Sequence, residues 1–570
     1  MKNRVRFFLT VVCAILLVVP SLLATGGRIP AYARNGMVVS ASEIASETGR
    51  DILQRGGNAV DAAVATAFAL AVTWPSAGNL GGGGFLVYHG ADGRVTAFDF
   101  REKAPLAATR TMYLDENGRI RNNSNHDGLL AVGVPGTVAG LFAAHKKLGS
   151  LPWAELVAPA EKLARKGIPM SWAVYQHTKS EWMKAYFEKY PSTAKVFLKK
   201  DGSAYEPGEL WRQPDLAETL ARIRKHGRDG FYKGKTAHLL AKFMRENGGI
   251  ITEKDLAEYE AIERKPVHGT YRGYDIYAMC PPSSGGVALI EMLNILEGYN
   301  LAAIGHNSAL YLHLLTEAMR RAFADRAQFL GDPDFNPDMP VEKLLSKEHA
   351  EKLRSSIDLF RASPSDSARF NQRYESTETT HFSVVDKQGN AVSMTYTLEQ
   401  SYGTKIVAEG LGFLLNNEMG DFNAIPGLTN SRGRIGTEPN TIAPGKRMLS
   451  SMTPTIVARD GKPVLAIGSP GGRTIINTVL QVILNVIDHG MNVAQAIEAG
   501  RIHHQWLPDI TSFEKWAISP DTQKLYENMG HRVRFRSIQG RAMGIFIDHE
   551  SGIISGAADS RSPDGGAAGY

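Results

Sequence analysis

The chain has 570 residues, 43% of them hydrophobic, which is enough for a large core in one or two domains. Its formal net charge is +6, but residues 1–33 carry four basic side chains and no acid, so their removal leaves +2. The basic balance therefore belongs largely to this leader and gives no indication of a nucleic-acid partner. The two cysteines are Cys13, inside the leader, and Cys280, so the rest of the chain cannot form an internal disulfide.

Residues 1–33 have the pattern of a signal peptide. A basic start is followed by an apolar run over residues 7–19, a break at Pro20 and a small-x-small sequence at Ala31-Tyr32-Ala33. The apolar run is short for a membrane span, although an uncleaved anchor remains an alternative. We expect an exported protein, periplasmic or secreted, with no membrane span after the leader.

The first part of the mature chain alternates strands and helices. We expect a strand at 36–40, helices at 42–55 and 59–73, and strands at 85–88 and 95–100. Four glycines at 81–84 suggest a phosphate loop, but no Gly-Lys-Ser/Thr follows and the run enters a strand. Close backbone packing is the better interpretation of these glycines.

Residues 106–378 are predicted to be mostly helical, including a helix over 310–329. The Ser-Ser-Gly-Gly sequence at 283–286 lacks the Gly-x-Ser-x-Gly spacing of a nucleophile elbow and is interpreted as a structural turn. Residues 355–378 are polar and rich in serine, a composition typical of a mobile segment ahead of a cleavage site.

A β-hairpin is predicted over 378–397, where apolar residues alternate with small or polar ones around a turn at 386–390. Several hydroxyl residues lie at the N-terminal end of its first strand. The ordinary explanation for them is β-propensity or a local hydrogen bond. The alternative is chemical. If the chain is cut before Thr379, the new α-amine, with a pKa near 8 in model peptides, can act as the base for that residue's own hydroxyl.

Four further motifs follow the same order as in a known family. They are the sequences at 395–397, 415–422, 449–455 and 468–472, and they follow Thr-Thr-His-Phe-Ser at 379–383, which matches the family's processing site. On these motifs the chain resembles the γ-glutamyltranspeptidase family over nearly its whole length. The resemblance implies an α/β fold of the N-terminal-nucleophile hydrolase type, an αββα sandwich of two central sheets flanked by helices. It also implies self-cleavage between Glu378 and Thr379, giving a large subunit (34–378) and a small subunit (379–570) that remain together as a heterodimer.

The resemblance further implies a role for each residue of the site. Thr379 is expected to be the nucleophile and Thr397 to orient its hydroxyl. Arg101, Ser450 and Ser451 are expected to hold the substrate α-carboxylate, because a guanidinium binds a carboxylate through two parallel hydrogen bonds. The remaining expected contacts are Glu418 and Asp421 to the substrate α-ammonium, and the backbone N–H groups of Gly471 and Gly472 to the oxyanion.

Two positions depart from the family pattern. Glu399 stands where many members carry asparagine, although some bacterial members carry glutamate, so its share in binding the ammonium group is open. The loop over 426–444 matches the family lid in position but contains Arg432 and Arg434 and no aromatic residue. An aromatic gate over the substrate is therefore not expected.

No cofactor is expected, and the histidines do not indicate a metal site. His381, His503 and His504 belong to no His-Glu-x-x-His motif or Cys/His set. The expected reaction is an acyl transfer from glutathione or another γ-glutamyl compound to water, an amino acid or a dipeptide. Two alternatives remain: a glutaryl acylase of the same fold, against which Glu418 and Asp421 argue, and a non-catalytic binding protein, against which the intact Thr379 and Thr397 argue.

The first prediction concerns maturation. We expect two fragments, residues 34–378 and 379–570, because the Thr379 hydroxyl can attack the Glu378 carbonyl and form an ester that water opens. Thr379→Ala should remain one inactive chain, whereas Thr379→Ser should still be cut. N-terminal sequencing of the small fragment should give Thr-Thr-His-Phe, and a fully active uncut chain would contradict the prediction.

Overall fold

The computed structural model of the protein describes residues 28–365, 379–430 and 435–570. Most of the predicted leader, residue Glu378 of the predicted cleavage site, the last part of the polar segment and the loop arginines Arg432 and Arg434 lie outside these ranges. Thr379 is therefore the first described residue of the predicted small subunit.

The elements alternate along the chain as far as residue 100 and then become mainly helical. The strands are β1 (Ala31–Ala33), β2 (Met37–Ser40), β3 (Gly83–His89), β4 (Val95–Phe100), β5 (Ile168–Pro169), β6 (Leu210–Trp211), β7 (Ile262–Arg264), β8 (Val267–Tyr271), β9 (Tyr274–Ala278), β10 (Thr380–Val385), β11 (Ala391–Thr397), β12 (Thr455–Arg459), β13 (Lys462–Gly468), β14 (Ile502–His503), β15 (Thr511–Glu514), β16 (Val533–Arg536), β17 (Met543–Asp548), β18 (Ile553–Ala558) and β19 (Gly566–Gly569).

The helices vary from a single turn to about six turns. They are α1 (Glu43–Gln54), α2 (Ala59–Thr73), α3 (Thr137–Leu148), α4 (Trp153–Lys166), α5 (Trp172–Thr178), α6 (Glu181–Lys189), α7 (Pro191–Phe197), α8 (Pro214–His226), α9 (Asp229–Tyr232), α10 (Gly234–Glu246), α11 (Glu253–Ala257), α12 (Gly285–Leu296), α13 (Leu301–Ile304), α14 (Ala309–Phe329), α15 (Val341–Leu345), α16 (Lys347–Ser355), α17 (Thr474–Ile487), α18 (Val493–Glu498) and α19 (Pro520–Asn528).

The predicted hairpin is confirmed and lies in the middle of a sheet. Strands β10 and β11 pair antiparallel, with Phe382 opposite Met394 and Val384 opposite Val392, and every residue of both strands is buried. Asp386 closes the turn by accepting backbone hydrogen bonds from Gln388 and Asn390, both at 3.0 Å. The alternating pattern therefore specifies the hairpin, although both faces of the strands are covered.

Two seven-stranded sheets form the centre of the fold. One has the strand order β1-β18-β17-β13-β12-β9-β8 and the other β19-β2-β10-β11-β3-β4-β7. The sheets face each other, since β10 and β11 contact β13. Helices α1 and α2 cover the outer face of the second sheet, and α12 and α17 cover that of the first. This is the αββα sandwich that the resemblance implied.

The alanine-rich helix α2 is buried all round, as expected from its lack of a polar face. It begins at a capping box in which the Asn58 side chain accepts from the Asp61 backbone while the Asp61 carboxylate accepts from the Asn58 backbone. Because α2 contacts both β10 and β11, it fixes the hairpin from behind.

The expectation of a mostly helical region over 106–378 was incomplete. Strand β7 joins the edge of one central sheet, and β8 and β9 form the edge of the other. Sequence periodicity did not reveal β8, at the sheet edge, or β9 beside it, because both are short, partly exposed and carry mixed polar and apolar residues.

The beginning of the described chain also forms a strand. Residues Ala31–Ala33, which contain the predicted leader cleavage sequence, pair with β18 at a sheet edge. Removal of the leader after Ala33 would therefore take this edge strand with it and leave β18 at the edge. In the described ranges, no helix combines the length and the apolar character that crossing a bilayer requires.

The sheet order predicts how the two fragments behave after cleavage. Strand β10 from the small fragment lies between β2 of the large fragment and β11, and β3 of the large fragment follows β11. We expect the fragments to co-elute in reducing buffer and to separate only in the denaturant transition that unfolds the sheets, since all of these hydrogen bonds must break together. Separation of folded fragments by gel filtration without denaturant would contradict this.

Candidate active site

A cavity with about 1100 Å³ of empty space brings together nearly all of the predicted site residues. It is lined by Arg101, Thr379, Thr397, Glu399, Glu418, Asp421, Ser450, Ser451 and Gly472. Gly471 lines a neighbouring cavity instead, together with Pro470 and Gly540. These residues come from segments separated by more than 370 positions, so the fold assembles the site.

Thr379 and Thr397 lie at the same end of the hairpin. The β10–β11 register pairs Thr380 with Tyr396, and its continuation by one residue sets Thr379 opposite Thr397. The Asn79 side-chain amide donates to the Thr397 carbonyl oxygen at 2.9 Å, and the Thr397 hydroxyl accepts from the backbone of Glu399, also at 2.9 Å. Both contacts hold Thr397 in place relative to the start of β10.

The glycine run serves this arrangement through close packing, as expected. A Cβ atom on Gly82 would lie 2.0 Å from the Thr397 carbonyl oxygen, which is far inside van der Waals contact. The Gly82 backbone also donates to the side-chain oxygen of Asn79 at 2.9 Å. A residue with a side chain at position 82 would therefore push β11 and Thr397 away from the site.

Arg101 is fully buried at the end of β4, where its guanidinium contacts three carboxyl groups. It donates to Glu418, to Asp421 at 2.5 Å and, through Nε, to the Met448 carbonyl oxygen at 3.3 Å. Glu102 is farther away, at 3.5 Å from Nη1. The residues predicted to bind opposite ends of an amino acid are thus paired with one another.

The charges in this cluster do not balance. One guanidinium faces the carboxyl groups of Glu102, Glu418 and Asp421, and both carboxyl oxygens of Glu102 are buried without a hydrogen-bond partner. Burial raises the pKa of Glu102 to about 7, although the Arg101 charge opposes the shift. Burial likewise raises the pKa of Glu418 well above its usual value, against the opposing effect of Arg101. The cluster therefore favours the arrival of another positive charge.

Ser450 and Ser451 are held by the turn at 283–286. The backbone N–H and the hydroxyl of Ser284 both donate to the Ser450 carbonyl oxygen, at 2.8 and 2.6 Å. Arg326, on α14, donates from Nε to the Ser284 hydroxyl at 2.7 Å and from Nη2 to the Ser451 hydroxyl at 3.0 Å. The Ser-Ser-Gly-Gly sequence is thus a structural turn, as predicted, and its function is to position the two serines.

Gly471 and Gly472 lie between β13 and α17. Both have positive φ angles, +135° and +57°, which favour glycine. The Gly471 carbonyl oxygen accepts from the backbone and the hydroxyl of Thr474, at 3.1 and 2.7 Å, as the helix begins. The partial positive charge of the α17 N-terminus therefore lies next to the part of the cavity that Gly472 lines.

Glu399 is paired with a histidine that the sequence did not identify. It is buried, has a φ of +77°, and its Oε2 lies 3.5 Å from Nδ1 of His126. Burial raises the pKa of Glu399 against the opposing effect of His126. Burial alone would lower the pKa of His126, but the Glu399 carboxylate, with smaller contributions from Asp421 and Asp127, outweighs it, and the pKa is raised.

Four cavity or supporting residues were therefore not predicted: Glu102, His126, Arg326 and Asn440. Asn440 donates to the Asp421 carbonyl oxygen at 2.7 Å and accepts from the Leu449 backbone at 2.8 Å. His126 and Asn440 lie in irregular segments without a periodic pattern, and Arg326 was one polar residue on an amphipathic helix. Of the four, only Glu102 could have been suggested from the sequence, because it is adjacent to Arg101.

The histidines considered for metal binding make ordinary internal contacts. His381 contacts the hydroxyls of Thr395 and Ser383, at 2.8 and 3.1 Å, and His503 contacts Asn477 at 2.7 Å. Burial lowers the pKa of both rings to about 3, so both are neutral. His504 lies 3.2 Å from Asp509.

Residues of the segment that matches the family lid, and residues just before it, line the cavity, among them Phe422. Ile425 and Ile435 line it on either side of the undescribed residues 431–434, and Thr437 follows. Thr437 donates to the Ala327 carbonyl oxygen at 2.6 Å, which attaches this loop to α14.

The chain was compared with known protein families and relatives. A family model described as γ-glutamyltranspeptidase matches residues 45–570. The glutathione hydrolase proenzyme of Escherichia coli K12 is 47% identical over 546 residues, covering 95% of this chain and 93% of the relative. The proenzyme of the same description from Bacillus subtilis strain 168 is 41% identical, covering 92% and 90%.

Solved structures agree with the fold. A cephalosporin acylase from Bacillus halodurans is similar over 97% of this chain and 98% of its own, with a TM-score of 0.81 and 27% identity. The γ-glutamyltranspeptidase of Helicobacter pylori covers 60% of this chain and 95% of its own, with a TM-score of 0.56 and 46% identity. The match of the family model from residue 45 to the last residue, together with these identities, means that the chain belongs to the γ-glutamyltranspeptidase family.

Proposed function

We propose that the chain is the proenzyme of a γ-glutamyltransferase that cleaves the γ-glutamyl bond of glutathione and related compounds. The observation that carries this proposal is a threonine at the start of a central strand, in one cavity with a buried guanidinium and two carboxylates. A nucleophile and a clamp for both charged groups of an amino acid are what a γ-glutamyl donor requires. Relatives that are described as glutathione hydrolase proenzymes support the same conclusion.

The proposed maturation frees the catalytic amine. Cleavage between Glu378 and Thr379 separates a large subunit (34–378) from a small subunit (379–570), and the Thr379 α-amine becomes available as a base. In the uncut chain that nitrogen is an amide, which cannot accept a proton at neutral pH. Turnover therefore depends on cleavage, and the description of the relatives as proenzymes is consistent with this order of events.

In the first step, Thr379 Oγ attacks the γ-carbonyl carbon while its α-amine takes the hydroxyl proton. Thr397 orients the hydroxyl from the opposite strand. The N–H groups of Gly471 and Gly472, at the N-terminus of α17, stabilise the negative charge on the carbonyl oxygen. The amine then gives its proton to the leaving nitrogen as the C–N bond breaks.

In the second step, the γ-glutamyl ester on Thr379 is attacked by water or by an amine. The same α-amine removes a proton from the attacking group and returns it to Oγ when the ester opens. Water yields glutamate, and an amino acid or dipeptide yields a new γ-glutamyl product. The rim of the cavity around Ile425 and Ile435 gives an acceptor access to the ester.

Substrate binding is proposed to exchange partners within the charged cluster. The α-carboxylate takes a position on Arg101 beside the hydroxyls of Ser450 and Ser451, and the α-ammonium goes to Glu418 and Asp421. The carboxyl groups around Arg101 outnumber its single positive charge, and the ammonium group supplies a second one. Glu399 adds negative charge on the same side, to an extent controlled by His126.

This charge distribution favours γ-glutamyl donors over glutaryl ones. One relative, at 37% identity, is described as an acylase, and the acylase fold is the same. A glutaryl group has no α-ammonium, so it would leave the buried Glu418 and its neighbours without a compensating cation, which costs free energy. Glutaryl substrates should therefore be poor.

Export to the periplasm or the exterior is inferred from the leader alone.

The deciding assay for the proposed function incubates purified, processed enzyme with glutathione, with and without glycylglycine, followed by product analysis. We expect glutamate in the first case and γ-glutamyl-glycylglycine in addition in the second. Failure to release any product from glutathione or from a γ-glutamyl anilide, with the fragments correctly formed, would refute the proposal.

Arg101→Lys tests the carboxylate contact without removing the charge that the buried acids require. We expect normal chain cleavage and a rise in KM for γ-glutamyl donors of roughly ten- to hundredfold, since a paired charge-assisted contact contributes about 1.5–3 kcal/mol. Arg110→Lys is the matched control, because Arg110 forms an exposed pair with Glu438. An unchanged KM in Arg101→Lys would exclude the proposed role.

His126→Gln tests the link between Glu399 and the ammonium group. The raised pKa keeps His126 positively charged to a higher pH than an ordinary histidine, and this charge offsets that of Glu399. The Ki of L-glutamate as a competitive inhibitor should therefore fall roughly three- to tenfold between about pH 6 and pH 8.5 in the wild type. The fall should be smaller in His126→Gln, where Glu102, with a pKa of about 7, still titrates but His126 no longer does. His226→Gln, at an exposed position on α8, is the control for loss of an imidazole. Parallel pH profiles in the wild type and His126→Gln would contradict the link.

A further inference from the structure

A histidine and two carboxylates meet where three helices contact one another, outside the active-site cavity. Glu291 lies on α12, Asp325 on α14 and His349 on α16, and one potential ligand atom from each lies within 4.8 Å of the others. His349 Nε2 is 2.7 Å from Asp325 Oδ2 and 4.0 Å from Glu291 Oε1. Imidazole nitrogen and carboxylate oxygen are both common metal ligands.

Glu291 is the unusual member of this cluster. It is 1% exposed, and its Oε1 is buried without a hydrogen-bond partner. A carboxyl oxygen in that position loses its hydration without compensation, which costs free energy unless something else binds it. It lies in the middle of α12, where every residue is buried, so the side chain cannot reach water by a small movement.

Nearby cations do not neutralise the two carboxylates. Among the described residues, His349 is the only basic side chain in ion-pair distance of Glu291 or Asp325. Burial, and then the neighbouring Asp325 carboxylate, raise the pKa of Glu291 well above its usual value. The Glu291 carboxyl group therefore lies beside a second carboxyl group without a guanidinium or ammonium partner among the described residues.

A second cluster in the same molecule shows what a neutralised arrangement looks like. His313, Glu317 and His531 also come together, but there Glu317 accepts from Arg320 at 3.3 Å and from Arg321 at 2.6 Å. Two guanidinium groups thus supply positive charge to Glu317 there. The Glu291 cluster has no arginine in the corresponding position within the described ranges.

We propose that Glu291, Asp325 and His349 bind one divalent first-row metal ion, Zn²⁺ or Mn²⁺, with water completing its coordination. The mixed nitrogen and oxygen donor set favours these ions over Ca²⁺, which takes six to eight oxygen ligands, and over Mg²⁺, which keeps most of its waters. The ion would bind the unpartnered Glu291 oxygen and link α12, α14 and α16.

The function of this site is structural. Asp325 is adjacent to Arg326, which lies in the active-site cavity and donates to Ser451, whereas the Asp325 carboxylate contacts α16 on another side of α14. The ion would therefore stabilise the helix that carries Arg326 without contacting substrate. Its removal should lower thermal stability and leave turnover at moderate temperature unchanged, in keeping with a reaction that needs no metal.

The test uses processed enzyme prepared without a histidine tag, treated with EDTA, dialysed, and titrated separately with Zn²⁺ and Mn²⁺. We expect bound metal by elemental analysis and a rise in the melting temperature of about 2–5 °C near saturation. Glu291→Gln should bind one equivalent less and lose the temperature rise. In EDTA the same variant should be at least as stable as the wild type, because it lacks the buried carboxyl pair.

Glu351→Gln, an exposed glutamate on α16, is the matched control and should respond to metal like the wild type. His349→Gln, at a less buried position, replaces Glu291→Gln if that variant fails to fold, with the same loss of one equivalent expected. Equal metal content and equal temperature response in the wild type and these ligand variants would overturn the proposal. So would the absence of bound metal, or stabilisation by Ca²⁺ but by neither Zn²⁺ nor Mn²⁺.

Discussion

The position of strand β10 is the constraint on which the other features depend. It lies between β2 and β11 in one sheet and contacts β13 of the facing sheet, and all of its residues are buried. A nucleophile at the front of such a strand is fixed by the backbone rather than by its own side chain. The same position explains how a cut before Thr379 can be tolerated. Strands of the two predicted fragments pair with each other in both sheets, and the hydrogen bonds that hold β10 remain after the peptide bond breaks. In the proposed enzyme, the rigidity of the nucleophile and the retention of the fragments would thus have one cause.

The second organising feature is a buried excess of negative charge. Arg101 faces the carboxyl groups of Glu102, Glu418 and Asp421, and Glu399 and His126 extend the charged region along the cavity. Such an arrangement is unfavourable for the empty protein, since buried carboxyl groups are incompletely paired. It is suited to a ligand that brings one cation and one anion a few ångströms apart. In the proposed enzyme, the incomplete pairing lowers the stability of the empty site. Binding of the amino-acid end of the donor completes the pairing and is therefore favourable.

Much of this arrangement was predictable from the sequence, for identifiable reasons. The β10–β11 hairpin has a strict alternation and a turn rich in Asp, Gly and Asn, and local patterns of this kind determine local structure. Thr379, Arg101, Glu418 and Ser450 lie in motifs whose order matches a family, so resemblance alone brought them into one site. The contacts of His126 with Glu399 and of Arg326 with Ser451 were not predictable, because each joins segments more than 100 residues apart. A local pattern does not encode such a contact, even where one partner, as Arg326, lies on a predicted helix. The strands β8 and β9 were missed because both are short and partly exposed and mix polar with apolar residues. The Glu291 cluster depends on the packing of three helices, which no single segment encodes.

The central claim is that the hydroxyl of Thr379 forms the γ-glutamyl ester. Its most direct test is to incubate processed enzyme with an electrophilic γ-glutamyl analogue, digest it, and locate the adduct by mass spectrometry. The account predicts one modification per heterodimer, on the N-terminal threonine of the small fragment, and protection by excess L-glutamate. A stoichiometric adduct on any other residue, such as Ser450, Ser451 or Cys280, with the threonine unmodified, would contradict it.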